Sequence, residues 1–358
     1  MPGTRHEPAT APARVTTLRG WRAMRPLVPA LEALSRAGGL PVTARLAWWR
    51  AALMADRDIV PLLLALRGPG DTLTAAALVA LGDEDGECRI TSVRPHTDDV
   101  WDIAAVSPGA RHTVLTGLVR YAARPSCPWR LTLTGLRDED EATWLAGQLP
   151  DGRVVPAPRV PGIGFGQDEV PLGPGIRSGL DRSGQRIRQH ALTETIRFEC
   201  EPARLAELRD EIEAVHLARD HDAGRVSDLD DGAGVAFWRS VYDGHAARGE
   251  LEVATLRLDG HLAAYVVALA DSPAYRVFDG RFAPKWRLYS PGRRLEVAVV
   301  QHARRRSFRE LDWMSSVAPE KLVASTQSDP RWAITAAGDA RPALPAGGGS
   351  VLSVAAAP

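Results

Sequence analysis

The sequence predicts a mixed α/β protein in which one order of strands and helices occurs twice. In each half, apolar strands that pair as hairpins precede a Ser-Pro-Gly turn, a helix and a further strand. The two turns are residues 107–109 and 290–292, which lie 183 positions apart. Because a shared order of elements indicates a repeat more strongly than a tripeptide does, we expect two mixed sheets, each flanked by helices.

The first half opens with helical patterns and continues with strands. Apolar residues at helical spacing predict two helices, and longer apolar runs bounded by turn residues predict two strands after them. A further helix follows Ser107, and a strand follows that helix. These elements are expected at residues 27–34, 42–54, 59–66, 72–81, 113–123 and 130–134.

The second half carries the clearest strand signals. Leu251–Leu258 alternates apolar and polar residues, and Asp259-Gly260 supplies a two-residue hairpin turn before an apolar return strand at 261–270. A third strand is expected at 275–282, and residues 332–334 predict a last edge strand. Before the hairpin, residues 202–219 form an amphipathic helix pattern, and the acidic stretch 220–234 predicts a mobile loop.

A helix is predicted to begin at Ser290. Ser290 is a favourable N-cap residue, and Pro291 suits the first helical position because its missing N–H would have no partner there. Arg293 and Arg294 follow in the first turn, where a positive side chain is otherwise unfavourable. Open backbone N–H groups and two guanidiniums therefore predict an anion site, although a plain structural cap explains Ser290 and Pro291 equally well.

Composition shifts predict the domain boundaries. We expect a disordered lead at 1–18, a first domain at 19–150, a linker and basic helix at 151–192, a second domain at 193–340 and a disordered tail at 341–358. The basic helix carries Arg177, Arg182, Arg186 and Arg188. Those arginines indicate either a solvated face or a dock for an anionic donor.

Bulk composition excludes several classes of protein. The formal net charge is zero and 45% of residues are hydrophobic, which argues against a strong general affinity for nucleic acid or anionic membrane. No apolar run approaches the roughly 18 residues of a membrane span, and the first residues lack the apolar core of a signal peptide, so we expect a cytoplasmic protein. Three scattered cysteines predict neither a disulfide framework nor a metal site.

The second half resembles the GNAT acyltransferase fold, and more closely the CelD-type acetyltransferase domain, which is related to the Fem aminoacyltransferases. The residues that carry the resemblance are 258–265, 290–295, 304–308 and 311–312. The resemblance implies a tandem GNAT-like fold and an N-acyltransferase that uses acyl-CoA as co-substrate, with its active site in the second domain. It also implies that Ser290, Gly292, Arg293, Arg294 and Leu295 bind the pyrophosphate of the donor.

Four side chains are candidates for the chemistry. The resemblance places Asp279 at the end of the central strand beside the thioester, matches Asp312 to a strand aspartate of the family, and matches Lys321 to the lysine of a Tyr-Lys pair that is Glu320-Lys321 here. His216 lies on the helix before the acidic loop. An imidazole accepts a proton near neutral pH, so His216 is a candidate base or an ordinary surface residue of its helix.

Three functions fit these observations. The first is N-acyl transfer from acyl-CoA to a small-molecule or peptide amine, with the first domain shaping the acceptor site. The second takes the acyl group from aminoacyl-tRNA or an acyl carrier protein, and the zero net charge argues against tRNA unless the arginines form one patch. The third is a non-catalytic GNAT-like binding or scaffold protein.

Overall fold

The computed structural model describes residues 14–55, 58–92, 100–124, 127–166, 172, 174–314, 322–339 and 351–353. The Glu320-Lys321 pair, residues 1–13 of the predicted lead, and residues 341–350 and 354–358 of the predicted tail lie outside this part of the chain. Roles expected of Lys321 therefore stay predictions.

Helices flank a large sheet, and several begin where the sequence predicts them. They are α1 (Trp21–Met24), α2 (Val28–Ala37), α3 (Leu46–Ala55), α4 (Pro108–Ala122), α5 (Glu139–Gly147), α6 (Pro174–Gln189), α7 (Pro202–Asp222), α8 (Gly232–Ala246) and α9 (Pro291–Arg305). The Ser-Pro-Gly segments begin α4 and α9, as the repeat predicts. The side chain of Ser107 accepts a hydrogen bond from the N–H of Ala110 and so caps α4.

The strands of both halves join in one mixed sheet. They are β1 (Arg14–Arg19), β2 (Val60–Arg67), β3 (Leu73–Glu84), β4 (Glu87–Thr91), β5 (Ala104–Ala105), β6 (Trp129–Leu136), β7 (Arg153–Gly164), β8 (Glu194–Glu199), β9 (Leu251–Leu258), β10 (His261–Asp271), β11 (Ala274–Phe282), β12 (Glu310–Asp312), β13 (Gln327–Gly338) and β14 (Val351–Ser353). Their order is β14-β1-β2-β3-β4-β6-β13-β7-β12-β11-β10-β9-β8, with β5 paired to β3.

The two halves of the sheet repeat one pattern. Strands β1 to β4 are antiparallel neighbours and β4 runs parallel to β6, while β8 to β11 are antiparallel and β11 runs parallel to β12. A helix joins each parallel pair, α4 in the first half and α9 in the second. The predicted fold class is thereby confirmed, a mixed α/β architecture in which one plan occurs twice.

The centre of the sheet differs from the sequence prediction. Arg153–Gly164, within the segment predicted as a linker, is strand β7, and β13 lies between β6 and β7 rather than at an edge. Strands β7 and β13 pair with each other. On their other edges, β7 pairs with β12 of the second half and β13 pairs with β6 of the first half. Strand β12 pairs with residues 162–164 of β7, whereas Pro156 and Pro161 lie in register with Trp332 and Ser328 of β13. The two expected sheets are therefore one.

The hairpin of the second half has the predicted turn. Asp259 and Gly260 both have positive φ, 49° and 78°, which is the conformation of a two-residue type I′ turn. Leu258 pairs with His261 across it. The Asp259-Gly260 dipeptide determines this turn, because the turn depends only on residues that are neighbours in the sequence.

A β-bulge in β11 decides which face the next residues occupy. Val267 of β10 pairs with Asp279, but its neighbour Ala268 pairs with Val277, so Phe278 is an extra residue in β11. Val277 packs with α9, whereas Phe278 packs on the opposite face. A bulge places consecutive side chains on one side of a sheet, so Asp279 joins Phe278 on the face covered by α7 and α8.

Candidate active site

A buried polar cluster lies under α7, and Asp279 is at its centre. Its Oδ2 atom accepts hydrogen bonds from the Tyr265 hydroxyl at 2.8 Å and from Trp238 Nε1 at 3.2 Å, and it lies 3.0 Å from His216 Nδ1. Asp279 is 8% exposed and His216 is 2% exposed. The structure thus brings together two residues that the sequence named separately, 63 positions apart.

Two carboxylates flank the imidazole. His216 Nε2 lies 3.0 Å from Asp220 Oδ2, one helical turn further along α7. That approach lacks the alignment of a hydrogen bond, and Nε2 is a buried nitrogen without an aligned partner. In the tautomer that donates from Nδ1 to Asp279, Nε2 carries no proton and faces the Asp220 carboxylate.

Arg281 joins the two carboxylates from the sheet side. Its Nη1 donates to Asp279 Oδ1 at 2.9 Å and its Nε donates to Asp220 Oδ1 at 3.1 Å. Asp220 also accepts from Arg225 at 2.6 Å and from the Ser227 hydroxyl at 3.3 Å. The chain between α7 and α8, predicted as a mobile acidic loop, is in this way fastened to the cluster by its own side chains.

The charges of the cluster follow from these contacts. Burial by itself would raise the pKa of Asp279, but the Arg281 guanidinium and the His216 hydrogen bond outweigh it and hold the pKa well below the ordinary value. The pKa of Asp220 is also lowered, because Arg281 outweighs the effect of burial. Burial and the Asp279 carboxylate raise the pKa of Tyr265 well above its usual range. Both carboxylates are thus ionised at neutral pH, and the Tyr265 hydroxyl keeps its proton.

The N-terminus of α9 is the second part of the site. Ser290 occupies the N-cap position, as predicted, but its backbone is left-handed (φ 49°, ψ 45°) and its side chain makes no capping hydrogen bond. A Cβ atom added to Gly292 would lie 3.3 Å from the Phe282 ring, so only a small residue fits closely there. The first backbone N–H groups of α9 therefore carry no side-chain cap.

The other predicted donor-binding residues differ in what they contact. Arg293 is exposed and forms no hydrogen bond or ion pair with another described residue. Arg294 donates through Nε to Glu194 of β8 at 2.7 Å and through Nη1 to the Leu180 carbonyl of α6 at 3.4 Å. Leu295 is fully buried. Arg294 and Leu295 hold α9 in place, and Arg293 is the arginine of this turn that remains open.

Phe282 connects the two parts. The guanidinium of Arg219, from the end of α7, lies 4.6 Å from the centre of the Phe282 ring, and the same ring borders Gly292. Arg287, just before α9, forms an ion pair with Asp222 at the end of α7. The polar cluster and the open helix end are therefore neighbours at the end of β11.

Asp312 lies in a different network. It forms an ion pair with Arg276, a buried residue that also bonds to Asp271, and it accepts from the N–H of Met314 at 2.8 Å. Asp271 in turn forms an ion pair with Arg45 and accepts from the N–H of Val42 at 2.8 Å. These contacts tie the N-terminal helices to the second half, so a structural role accounts for Asp312 in the described residues.

Several residues of the site were not predicted from the sequence. Asp220 and Arg281 had usable signals, because Asp220 is four residues after His216 on a helix and Arg281 is two residues after Asp279 on a strand. Tyr265 and Trp238 had none, since each is an ordinary apolar-face residue of its element. Glu296 was also missed, and burial raises its pKa to about 7 beside the start of α9.

Among the described residues, no group of three or more His, Cys, Asp or Glu side chains could hold a metal ion. Nor does any helix in the described part of the chain have the length and hydropathy of a membrane span.

Comparisons with known proteins agree with this architecture. Residues 176–322 match the family described as acetyltransferase (GNAT) domain. The crystal structure of FemX is 9% identical, with a TM-score of 0.56 over 80% of this chain and 86% of that chain. A conserved protein of unknown function from Bacteroides thetaiotaomicron is also 9% identical, with a TM-score of 0.53 over 86% and 97%. These two likenesses show the fold alone, and no curated protein sequence matches the chain.

Proposed function

We propose that residues 176–322, which match the family described as acetyltransferase (GNAT) domain, transfer an acyl group from acyl-CoA to an amine. The family match supports an acyltransferase; the donor, the acceptor and the residues that act are our proposal. The acceptor is a small molecule or a peptide that carries a primary amine. The first half of the chain, as a second copy of the fold, shapes the acceptor side.

The start of α9 is the proposed donor site. Uncapped N–H groups and the positive end of a 15-residue helix favour a phosphate oxygen there. Arg293 adds an exposed guanidinium in the same turn. The left-handed Ser290 turns the chain into the helix without a side chain over these donors. The residues present therefore fit the pyrophosphate of CoA.

His216 is the proposed base. Amine attack on a thioester requires a neutral amine, and a positioned base removes its proton. Asp279 and Tyr265 fix the ring by contacts at Nδ1, which leaves Nε2 as the basic atom. Because His216 is 2% exposed, an acceptor reaches Nε2 only when the segment that Arg225 and Ser227 fasten to Asp220 opens.

The observation that carries this proposal is that strand β11 leads from the polar cluster, at Asp279 and Arg281, to the start of α9, at Phe282. His216 of α7 is held by Asp279 of the bulged strand β11, and the last residue of that strand, Phe282, lies beside Gly292 at the start of α9. In acyl transfer the thioester C–S bond breaks, the amide C–N bond forms, and the amine proton passes through the base to the released thiol. For this reaction the protein needs a side-chain cluster that supplies the base and an anion site that holds the donor.

Release of free CoA thiol tests the function directly. Purified protein is incubated with acetyl-CoA and with a long-chain acyl-CoA in the presence of a panel of primary amines, and thiol formation is followed with mass detection of the amide. Amine-dependent release that falls by about 100-fold or more in His216→Gln supports the proposal. His221→Gln is the matched control, since His221 lies on the same helix and contacts Asp230 instead. Binding of acyl-CoA without turnover of any amine would favour the scaffold function.

A further inference from the structure

Two of the three cysteines meet in the first half of the sheet, away from the candidate active site. Cys88 lies in β4, and Cys127 lies two residues before the start of β6, which runs parallel to β4. They are 39 positions apart in the sequence (127 minus 88), so their spacing alone does not connect them. Both are half-buried and free, whereas Cys200 is exposed. The pairing of β4 with β6 is what places the two thiols side by side.

The register of the two strands directs both thiols to one face. Cys88 is paired with Trp129, and its N–H donates to the Pro128 carbonyl at 2.9 Å. In an extended chain, side chains two residues apart point to the same face, which directs Cys127 to the face that Trp129 and its partner Cys88 share. The two thiol side chains form a hydrogen bond. The sulfur atoms are therefore in contact in the reduced protein.

The surroundings make the two thiols unequal. Burial raises the pKa of the Cys88 thiol, and negative charge on Cys127 raises it further, which outweighs the effect of the Arg19 guanidinium nearby. A thiolate on Cys127 therefore keeps the proton on Cys88. A thiolate in contact with a second, protonated thiol is the pair that thiol–disulfide exchange requires, with one sulfur to attack and one to resolve.

We propose that Cys88 and Cys127 form a reversible disulfide by exchange with a low-molecular-weight disulfide of the glutathione type. In the first step the Cys127 thiolate attacks one sulfur of the small disulfide, a mixed disulfide forms, and one small thiolate leaves. Cys88 then loses its proton to solvent and attacks the Cys127 sulfur, and the second small thiolate leaves. The protein loses two electrons and two protons, and the small disulfide is reduced to two thiols.

The bond joins β4 to the chain just before β6, across helix α4. Cys127 lies in a bend outside β6, so its backbone adjusts to the geometry of a disulfide more easily than a residue inside a paired strand. The closed loop contains all of α4, which restricts the unfolded chain. The pair lies outside the proposed donor and base sites, so the inference does not depend on the proposed function.

Exchange with oxidised glutathione tests the inference in a Cys200→Ser protein, whose only thiols are Cys88 and Cys127. The reaction is quenched in acid, the protein is unfolded and labelled with N-ethylmaleimide, and its intact mass is measured. The matched control is Cys88→Ser in the same background, which keeps the attacking thiol and removes the resolving one. Wild-type protein is digested in parallel, and mapping of linked peptides identifies the bond without any substitution.

We expect the treated protein to lose two hydrogens and to carry neither label nor glutathione, whereas Cys88→Ser keeps one glutathione on Cys127. The native protein should form the bond at a concentration of oxidised glutathione at least about tenfold lower than the urea-unfolded protein requires, because the fold holds the two sulfurs together. Two labels on the treated protein, a glutathione that stays on Cys127, or a bond between two chains would overturn the inference. Equal concentrations for the native and the unfolded protein would overturn it as well.

Discussion

His216 Nδ1 lies 3.0 Å from Asp279 Oδ2, across the junction between helix α7 and a bulged strand. The bulge at Phe278 is what turns Asp279 towards the helix. A carboxylate in this position fixes the orientation of an imidazole, and here it also balances Arg281 in the protein interior.

Asp279→Asn should impair both catalysis and folding. The amide keeps the size of the side chain but removes the charge that Arg281 and His216 face, so a partly buried guanidinium loses one of its two carboxylate partners. We expect turnover to fall by about 100-fold or more, and the free energy of unfolding to fall by roughly 3 kcal/mol. Thiol release and urea unfolding measure the two effects. Full activity with normal stability would remove Asp279 from the mechanism.

Acid should destabilise the protein through the same cluster. The folded-state pKa values of Asp279 and Asp220 lie below the ordinary carboxyl value, so the unfolded state binds protons first as the pH falls. Their stabilisation is complete above about pH 4 and is lost below it, as pH falls towards the folded pKa values. Urea midpoints from pH 7 to pH 3 measure this loss. In Asp279→Asn the urea midpoint should fall less steeply as the pH is lowered. A slope equal to that of the wild type would exclude Asp279 as a cause of the acid destabilisation.

Glu296 should have the opposite pH dependence. Burial raises its pKa from the ordinary 4.5 to about 7, and its Oε2 atom is enclosed without a partner although the residue as a whole is partly exposed. The folded state therefore holds the proton more tightly, and stability falls as pH rises from 4.5 to 7. Glu296→Gln should raise the free energy of unfolding by about 1 to 3 kcal/mol at pH 8 and change it little below pH 4.5. Equal effects at both pH values would contradict this assignment.

Ser290 should tolerate glycine better than any branched residue. Its φ of 49° lies in the left-handed region, and its hydroxyl makes no capping bond. Ser290→Gly should be neutral or stabilising by up to about 1 kcal/mol, whereas Ser290→Val should cost about 1 to 2 kcal/mol. Thermal unfolding of the two variants distinguishes them. A marked loss of stability in Ser290→Gly would show that the hydroxyl has a partner after all.

Local signals were sufficient for part of this fold. The Asp259-Gly260 turn, the start of α9 at Pro291 and the repeated order of elements could all be predicted, because each depends on neighbours in the chain. The central strands could not, since β7 and β13 are held by strands from the other half, and proline-rich Arg153–Gly164 has the composition of a loop. Pairing between distant strands overrides composition at that point.

The site was predictable in its residue types more than in its geometry. His216 and Asp279 were candidates from the sequence, but their contact depends on a one-residue bulge and on how α7 docks, and neither has a sequence signature. The two arginines of the Ser-Pro-Gly-Arg-Arg segment looked equivalent. They differ because Arg294 is hydrogen-bonded to Glu194, which lies 100 positions away in the sequence.

Titration calorimetry with acetyl-CoA tests the central claim most directly. The variant is Arg293→Ala, and the control is Arg305→Ala, an exposed arginine at the other end of the same helix. We expect saturable binding by the wild type and by Arg305→Ala, and binding weakened by about 1 to 2 kcal/mol in Arg293→Ala, because one charge-assisted phosphate contact is lost. Equal affinity for all three proteins, or no binding by the wild type, would contradict a donor site at the start of α9.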